Sequence, residues 1–172
     1  MTSIARLTDQ EQATWRAFLL THHLLEDALD RQVQTEAGIT HSYYVILVAL
    51  LDAPANALRM SDLATMLSYS QSRLTHAINR LEREGWVERQ QCPTDRRGLY
   101  TVLTEAGKAK LRDIAPGHVT EVRTRFFDRL TDQQTAQLGE ICETLLRGFE
   151  PGLSPAAGGS SFGDRSPEPT SP

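Results

Sequence analysis

The stretch Ser70-Gln71-Ser72-Arg73-Leu74-Thr75-His76-Ala77-Ile78-Asn79-Arg80-Leu81-Glu82-Arg83-Glu84-Gly85 decides how this chain is read. Leu74, Ala77, Ile78 and Leu81 recur at three- and four-residue steps, the period of a helix with one buried face. Ser70 suits the N-cap, where a hydroxyl accepts from a free backbone N–H, and Gly85 suits the end, where a left-handed residue closes the last turn. With the four apolar side chains turned inward, the outward positions are Gln71, Ser72, Arg73, Thr75, His76, Asn79, Arg80 and Arg83. All are hydrogen-bonding or cationic, and acid appears only from Glu82 onward. Such a helix is narrow enough for the major groove of DNA. There Gln, Arg and Asn read adenine and guanine edges, while Ser72 and Thr75 bond phosphates. An ordinary solvated surface helix is the competing reading.

Working outward, Ser61 followed by Leu63, Ala64, Met66 and Leu67 predicts a short helix capped by Ser61, just upstream. Downstream, Trp86 to Gln91 and Leu99 to Leu103 predict two strands around Cys92-Pro93-Thr94-Asp95-Arg96-Arg97-Gly98, a hairpin with a long tip. Arg96 and Arg97 on a projecting turn suit the narrow minor groove. Asp95, two residues before Arg97, can hold that guanidinium through paired hydrogen bonds. A flexible charged loop is the competing reading of the tip. Short helix, turn, second helix and two-stranded ribbon together are the order of a winged helix-turn-helix.

The flanks are helical. Trp15, Phe18, Leu19, His22, Leu25 and Leu29 line one face of a long first helix, and Tyr43 to Leu51 form a second that stops at Asp52-Ala53-Pro54. Thr104 caps a helix that is predicted to kink at Pro116-Gly117 and to keep its apolar spacing as far as Phe126 and Phe127. Thr131 opens a last helix with Leu138, Ile141, Cys142, Leu145 and Phe149 along one stripe. The expected fold class is therefore mainly α with a small β-wing. A winged helix-turn-helix lobe at about 40–103 is joined to long N- and C-terminal helices at about 9–36 and 104–149.

At 172 residues the chain is one domain, at 5–149, with an appendage. Five of the eight prolines lie from Pro151 onward among Gly and Ser, so 150–172 is read as a disordered tail. Only two cysteines, Cys92 and Cys142, exclude a disulfide framework and fit a reducing compartment. Cys142, on an apolar stripe, is expected to be a small core residue. No apolar run nears the roughly 20 residues of a membrane span, and the first residues lack signal-peptide order, so a cytoplasmic location and no membrane partner are expected.

The net charge of -4 hides a segregation. Residues 1–58 hold three Lys/Arg against seven Asp/Glu, residues 59–100 seven against five, and residues 101–172 eight against ten. The cationic excess falls on the segment that carries the helix and the hairpin tip.

Residues 61–107 resemble the DNA-binding lobe of the multiple-antibiotic-resistance regulator (MarR) family. The resemblance rests on Leu74-Thr75 and Arg80-Leu81-Glu82, on Gly85-Trp86-Val87, on Asp95-Arg96-Arg97-Gly98 and on Leu103-Thr104-Glu105-Ala106-Gly107. With the flanking helices it extends over residues 10–149. It implies a bacterial transcriptional repressor that binds a double-stranded operator as a homodimer whose first, fifth and sixth helices intertwine. It implies helix 70–84 in the major groove and wing 92–98 in the minor groove. The expected DNA contacts are Ser70, Gln71, Ser72, Arg73, Thr75, His76, Asn79, Arg80, Asp95, Arg96 and Arg97. A dimer interface also suits the outer apolar stripes, Leu25 with Leu29 and Ile141 with Leu145 and Phe149, which too little chain remains to cover.

The resemblance further implies, in many members, a small-molecule pocket beside the dimer helices. Trp15, Phe18, His22, Tyr43 and Tyr44 are the residues that could line it for an aromatic or lipophilic effector. Simple filling of the core is the competing reading for each. No metal site is expected, although a composite of His22 or His41 with His118 stays open. No phosphate loop, nucleophile elbow or metalloprotease His pair is found, so neither catalysis nor a cofactor is expected. The rival function is a winged-helix adaptor for protein partners, which would be expected to expose apolar anchors on that helix.

Overall fold

A computed structural model describes residues 6–92 and 95–149, with the side chains of 92 and 95–97 outside that description. The first helix, α1 (Asp9–Ala37), opens on a reciprocal cap. Thr8 Oγ1 accepts from the Glu11 N–H at 3.2 Å and the Glu11 carboxylate accepts from the Thr8 N–H at 2.7 Å. It stops at Gly38, whose φ of 69° is cheap only without a Cβ. Then come α2 (His41–Asp52), a short 3-10 turn at Pro54–Asn56, β1 (Ala57–Arg59) and α3 (Met60–Met66). The helix-turn-helix is completed by α4 (Gln71–Arg83), and the hairpin by β2 (Val87–Cys92) and β3 (Asp95–Leu103). The chain leaves through α5 (Glu105–Arg125) and α6 (Asp132–Phe149).

The core lies where α2, α3, α4, the sheet and α5 converge. Ile46, Leu47, Leu50, Leu63, Leu74, Ile78 and Leu81 are fully buried there, and Val33 of α1 and Ile114 of α5 close it. Each buried Leu or Ile removes enough apolar surface from water to contribute about 1.5–3 kcal/mol, so α4 is held by its inner face and not by its polar one. The base of the hairpin is tied to α5 by Thr104. Its hydroxyl accepts from the Gly107 N–H at 3.1 Å and donates to the Gly85 carbonyl at 2.6 Å.

The strand order is β1-β3-β2, antiparallel throughout, with Ala57 opposite Val102 and Val87 opposite Leu103. Three features depart from expectation. β1 is a third strand, too short at three residues for alternation to reveal it. Because Arg59 is held extended against Tyr100, α3 starts one residue before Ser61. Arg59, not Ser61, occupies the cap position, and the Ser61 hydroxyl donates to Asp62 instead. Pairing also runs further toward the tip than Gln91 and Leu99, reaching Cys92 opposite Asp95 past an irregularity at Gln91/Cys92. Added ladder bonds satisfy backbone groups that a long tip would leave to water.

α5 continues through Pro116 as one helix, as expected, with the Thr120 hydroxyl donating to the Pro116 carbonyl at 2.8 Å, but its C-terminal end differs. It ends at Arg125, so Phe126 lies outside it and Phe127 opens a 3-10 turn, their rings meeting edge-on at 5.2 Å.

The apolar faces of the outer helices divide otherwise than their spacing predicts. Leu29, expected on an uncovered stripe, is buried with Ala28 and Val33, because the C-terminal half of α1 packs on α2 and α5. Leu25 is half-buried. Among the described residues the N-terminal half has no such neighbours, and Trp15, Phe18, Leu19, Leu20 and Leu24 are exposed. α6 opens on Thr131, whose hydroxyl accepts from Gln134 N–H, and buries none of its residues. Ile141, Leu145 and Phe149 are left in the open, and Cys142 is exposed with them, not in the core. The expected tail, 150–172, lies outside the described residues.

Candidate nucleic-acid interface

Ser70 caps α4 as expected, accepting from the Arg73 N–H at 3.3 Å. Leu74, Ala77, Ile78 and Leu81 are buried, and Gln71, Ser72, Arg73, Thr75, His76, Asn79 and Arg80 are all exposed. The polar face divides into two flanks. On the wing side, Gln71, Thr75 and Asn79 line an open groove of about 660 Å³ with Arg59, Arg89, Gly98 and Leu99. On the opposite side, Arg73 and His76 border a cleft of about 250 Å³ with Thr40, Ser42, Tyr43 and Tyr69. The Arg73 guanidinium lies 4.0 Å from the Tyr69 ring centroid, a contact that supports the charge on an aromatic face. Arg80 is tied to Glu84 at 2.8 Å across one helical turn, an exposed pair worth little in itself.

Two cations in the wing-side groove were not among the expected contacts, Arg59 of β1 and Arg89 of β2. Arg59 reaches the Tyr100 hydroxyl at 3.4 Å. Arg89 forms an ion pair with Glu82 and donates from its other terminal nitrogen to Asn79 Oδ1 at 2.5 Å. The spacing of Asn79 and Glu82 (i, i+3) puts both on one strip of α4 and was a readable signal. That Arg89 folds back onto the strip follows only from the turn at Gly85. The side chains of Asp95, Arg96 and Arg97, and with them the expected Asp95–Arg97 pair, lie outside the described residues.

The five residues expected around an effector fall into separate places within one chain. Trp15 and Phe18 stack at 5.9 Å and Phe18 meets His22 at 6.4 Å, all along exposed α1. Tyr43 borders the cleft beside Arg73. Tyr44 is buried, its ring 4.5 Å from His118 and 6.1 Å from His41. The His41 and His118 rings stack at 5.3 Å, and His41 is further held by Glu26 at 3.3 Å and by Asp30, which accepts its backbone N–H at 2.7 Å. Burial, reinforced by His41, pushes the His118 imidazole down to about 4. Burial also pushes the Tyr44 phenol up to about 12, with the Asp52 charge adding to it. Among the described residues no set of three or more His, Cys, Asp or Glu side chains is gathered as a metal site, and no helix is long and apolar enough to cross a membrane.

Comparison with known proteins agrees with this architecture. A family model described as the MarR family matches residues 37–98. The transcriptional repressor MprA of Escherichia coli is 27% identical over 146 residues, which span 82% of each chain. Among solved structures, Sco3205 of Streptomyces coelicolor, a MarR family transcriptional regulator crystallised with DNA, superposes with a TM-score of 0.83 and 46% identity. The match covers 88% of this chain and 95% of that one. AbsC, a MarR family regulator of the same organism, gives 0.77 and 41% identity over 84% and 99% of the two chains. With identities of 41–46% over most of both chains and the family model on the segment that holds the helix-turn-helix, the chain belongs to the MarR family of transcriptional regulators.

Proposed function

We propose that the chain is a DNA-binding transcriptional regulator acting as a homodimeric repressor of a pseudo-palindromic operator. In each copy α4 lies in the major groove, with Gln71, Arg73, His76, Asn79 and Arg80 toward base edges and Ser70, Ser72 and Thr75 toward phosphates. The wing at 92–98 follows the adjacent minor groove, Arg96 and Arg97 inserting and Asp95 steadying Arg97. Two copies place their recognition helices about one helical turn of DNA apart, roughly 34 Å, so operator symmetry mirrors protein symmetry.

The observation that carries this reading is the division of α4 into a fully apolar buried face and a fully polar exposed one. An adaptor helix would present apolar anchors to a partner, and the outward face of α4 presents none. The DNA-bound Sco3205 structure, nearly half identical to this chain, supports the same assignment. The acidic N-terminal segment belongs to the dimer, away from DNA, which reconciles a pI of about 5.7 with a polyanionic partner. No catalytic step is part of the proposal.

An aromatic or lipophilic effector is part of it. Tyr43 shares a cleft with Arg73 and His76, so a molecule seated there touches side chains that face the operator. Trp15, Phe18 and His22 supply an exposed aromatic surface on α1.

The test is an anisotropy titration of the purified chain against the duplex upstream of its own gene, repeated across salt concentrations. Phosphate neutralisation makes log affinity fall linearly with log salt, by roughly 0.9 for each phosphate contacted. A flat response would remove the DNA reading and favour the adaptor.

A further inference from the structure

Arg89 holds one end of the Asn79 side chain, and the chemistry of that contact constrains what Asn79 can read. A guanidinium has five N–H donors and no acceptor, so the amide atom facing it is the oxygen. Arg89 donates to Asn79 Oδ1 at 2.5 Å, and its other terminal nitrogen is anchored by the Glu82 carboxylate. The Arg89 side chain is about four-fifths buried, at 21% exposure, while Asn79 is exposed at the floor of the groove between α4 and the wing. Glu82, Arg89 and Asn79 thus form a chain of charge-assisted hydrogen bonds that ends at the groove.

We infer that Arg89 is a positioning residue that turns Asn79 into a donor-only reader of the DNA base edge. This rests on the reading that α4 occupies the major groove. An unrestrained Asn pairs with adenine in bidentate fashion, accepting from N6 through Oδ1 and donating to N7 through Nδ2. That pattern needs both amide atoms turned to the base. With Oδ1 turned to Arg89, Nδ2 leads, and its hydrogens match acceptors: O6 and N7 of guanine or O4 of thymine, whereas adenine offers N7 alone beside an N6 donor left without its partner. Because the clamp already exists in the free protein, the amide is ordered before DNA arrives, and less freedom is lost on binding. Glu82 has its own place in this device. Without its charge Arg89 is a long side chain free to leave for a phosphate, and Asn79 regains the adenine pattern.

The experiment selects duplexes from a randomised pool with the full-length wild-type chain and then measures affinities for all four bases at each selected position. Asn79→Ala identifies the position that Asn79 reads, as the one whose preference flattens. The wild type is expected to favour guanine or thymine there. Arg89→Ala is expected to shift that one position toward adenine by at least about fivefold, the scale of a gained bidentate pair, with preferences elsewhere unchanged. Glu82→Gln shifts it in the same direction by less, and Arg89→Lys, which can still donate to Oδ1, keeps the wild-type preference. Should Arg89→Ala not fold, the Glu82→Gln and Arg89→Lys pair decides the matter.

A wild-type preference for adenine at that position, a loss in Arg89→Ala or Glu82→Gln that is equal on every duplex, or no position that responds to Asn79→Ala would each overturn the inference. Failure of the wild type to select any duplex would instead overturn the DNA reading beneath it.

Discussion

The His118 ring on α5 lies 4.5 Å from the Tyr44 ring on α2, and His41 stacks on the same imidazole at 5.3 Å. This three-ring contact joins the helix that leaves the wing to the helix that underlies the recognition element. It also makes folding sensitive to acid. In the unfolded chain an imidazole takes its proton near 6.5, whereas in the folded chain burial, with His41 beside it, keeps His118 neutral down to about 4. Between those values the unfolded state binds more protons, so the contribution of His118 is fully present above pH 6.5 and is lost as pH falls toward 4. Urea melts at about pH 7.5 and about pH 5 are expected to differ by as much as about 2 kcal/mol more in the wild type than in His118→Phe. Equal losses in the two proteins would remove His118 as the acid-sensitive group.

Gly107, in the first turn of α5, sits directly against the backbone at the base of the hairpin. A Cβ there would stand 2.6 Å from Leu103 Cδ1 and closer still to the Trp86 carbonyl oxygen. The obstacle is backbone that already accepts the Thr104 N–H at 3.1 Å, so it cannot yield without moving the hairpin off α5. Gly107→Ala is expected to lower stability by about 1–3 kcal/mol, as overpacking does, read as a shift of the chemical-denaturation midpoint. An unchanged midpoint would mean that the hairpin base is loose.

How much of this was legible differs residue by residue. α4 could be read almost to its ends, because Leu74, Ala77, Ile78 and Leu81 mark a period and Ser70 and Gly85 mark its limits. β1 could not, since Ala57–Arg59 is extended only because β3 returns beside it from some forty residues later. The division of α1 was equally hidden. Its spacing gives Phe18 and Leu29 the same apolar standing, and only the placement of α2 and α5 buries one and exposes the other. Along the interface, the outward face of α4 follows from its period alone. The hold of Arg89 on Asn79 needs the return angle of the hairpin, which no local pattern encodes. Cys142 is instructive in the opposite direction: its spacing marks the stripe, but a stripe buries nothing until something packs on it.

Among the described residues nothing covers that stripe. Ile141 and Leu145 are each more than half exposed and Phe149 is 79% exposed in the single chain, on a helix that buries none of its residues. If a second copy covers them, Leu145→Glu removes the burial twice over, once from each subunit. Roughly 3–6 kcal/mol of association is then lost, at least about a hundredfold in dissociation constant. Sedimentation velocity is expected to give twice the chain mass for the wild type and the single mass for the variant at the same loading. The variant should keep its helical signal, because Leu145 contributes little to the fold of one chain. A wild type that sediments at the single mass would place the dimer, and the paired half-sites, in error.

The two flanks of α4 predict separable mutational signatures. Arg73, braced on Tyr69, is a base reader in the proposed complex, so Arg73→Ala is expected to change the ranking of operator variants by about 1–3 kcal/mol at one position. Thr75 is a phosphate contact in the proposed complex, so Thr75→Ala is expected to weaken all duplexes alike and leave the ranking intact. Arg97→Ala in the wing is expected to weaken binding and to reduce the slope of log affinity against log salt by about 1, the value of one phosphate neutralisation lost. Asp95→Ala should weaken binding in the same sense through the misplaced Arg97, but with the salt slope retained, because no cation is removed. Anisotropy titrations on a panel of single-base operator variants at several salt concentrations separate these outcomes. A loss from Arg73→Ala that is uniform across the panel would take base reading away from that flank, and unchanged affinity in both wing variants would mean that the wing does not dock.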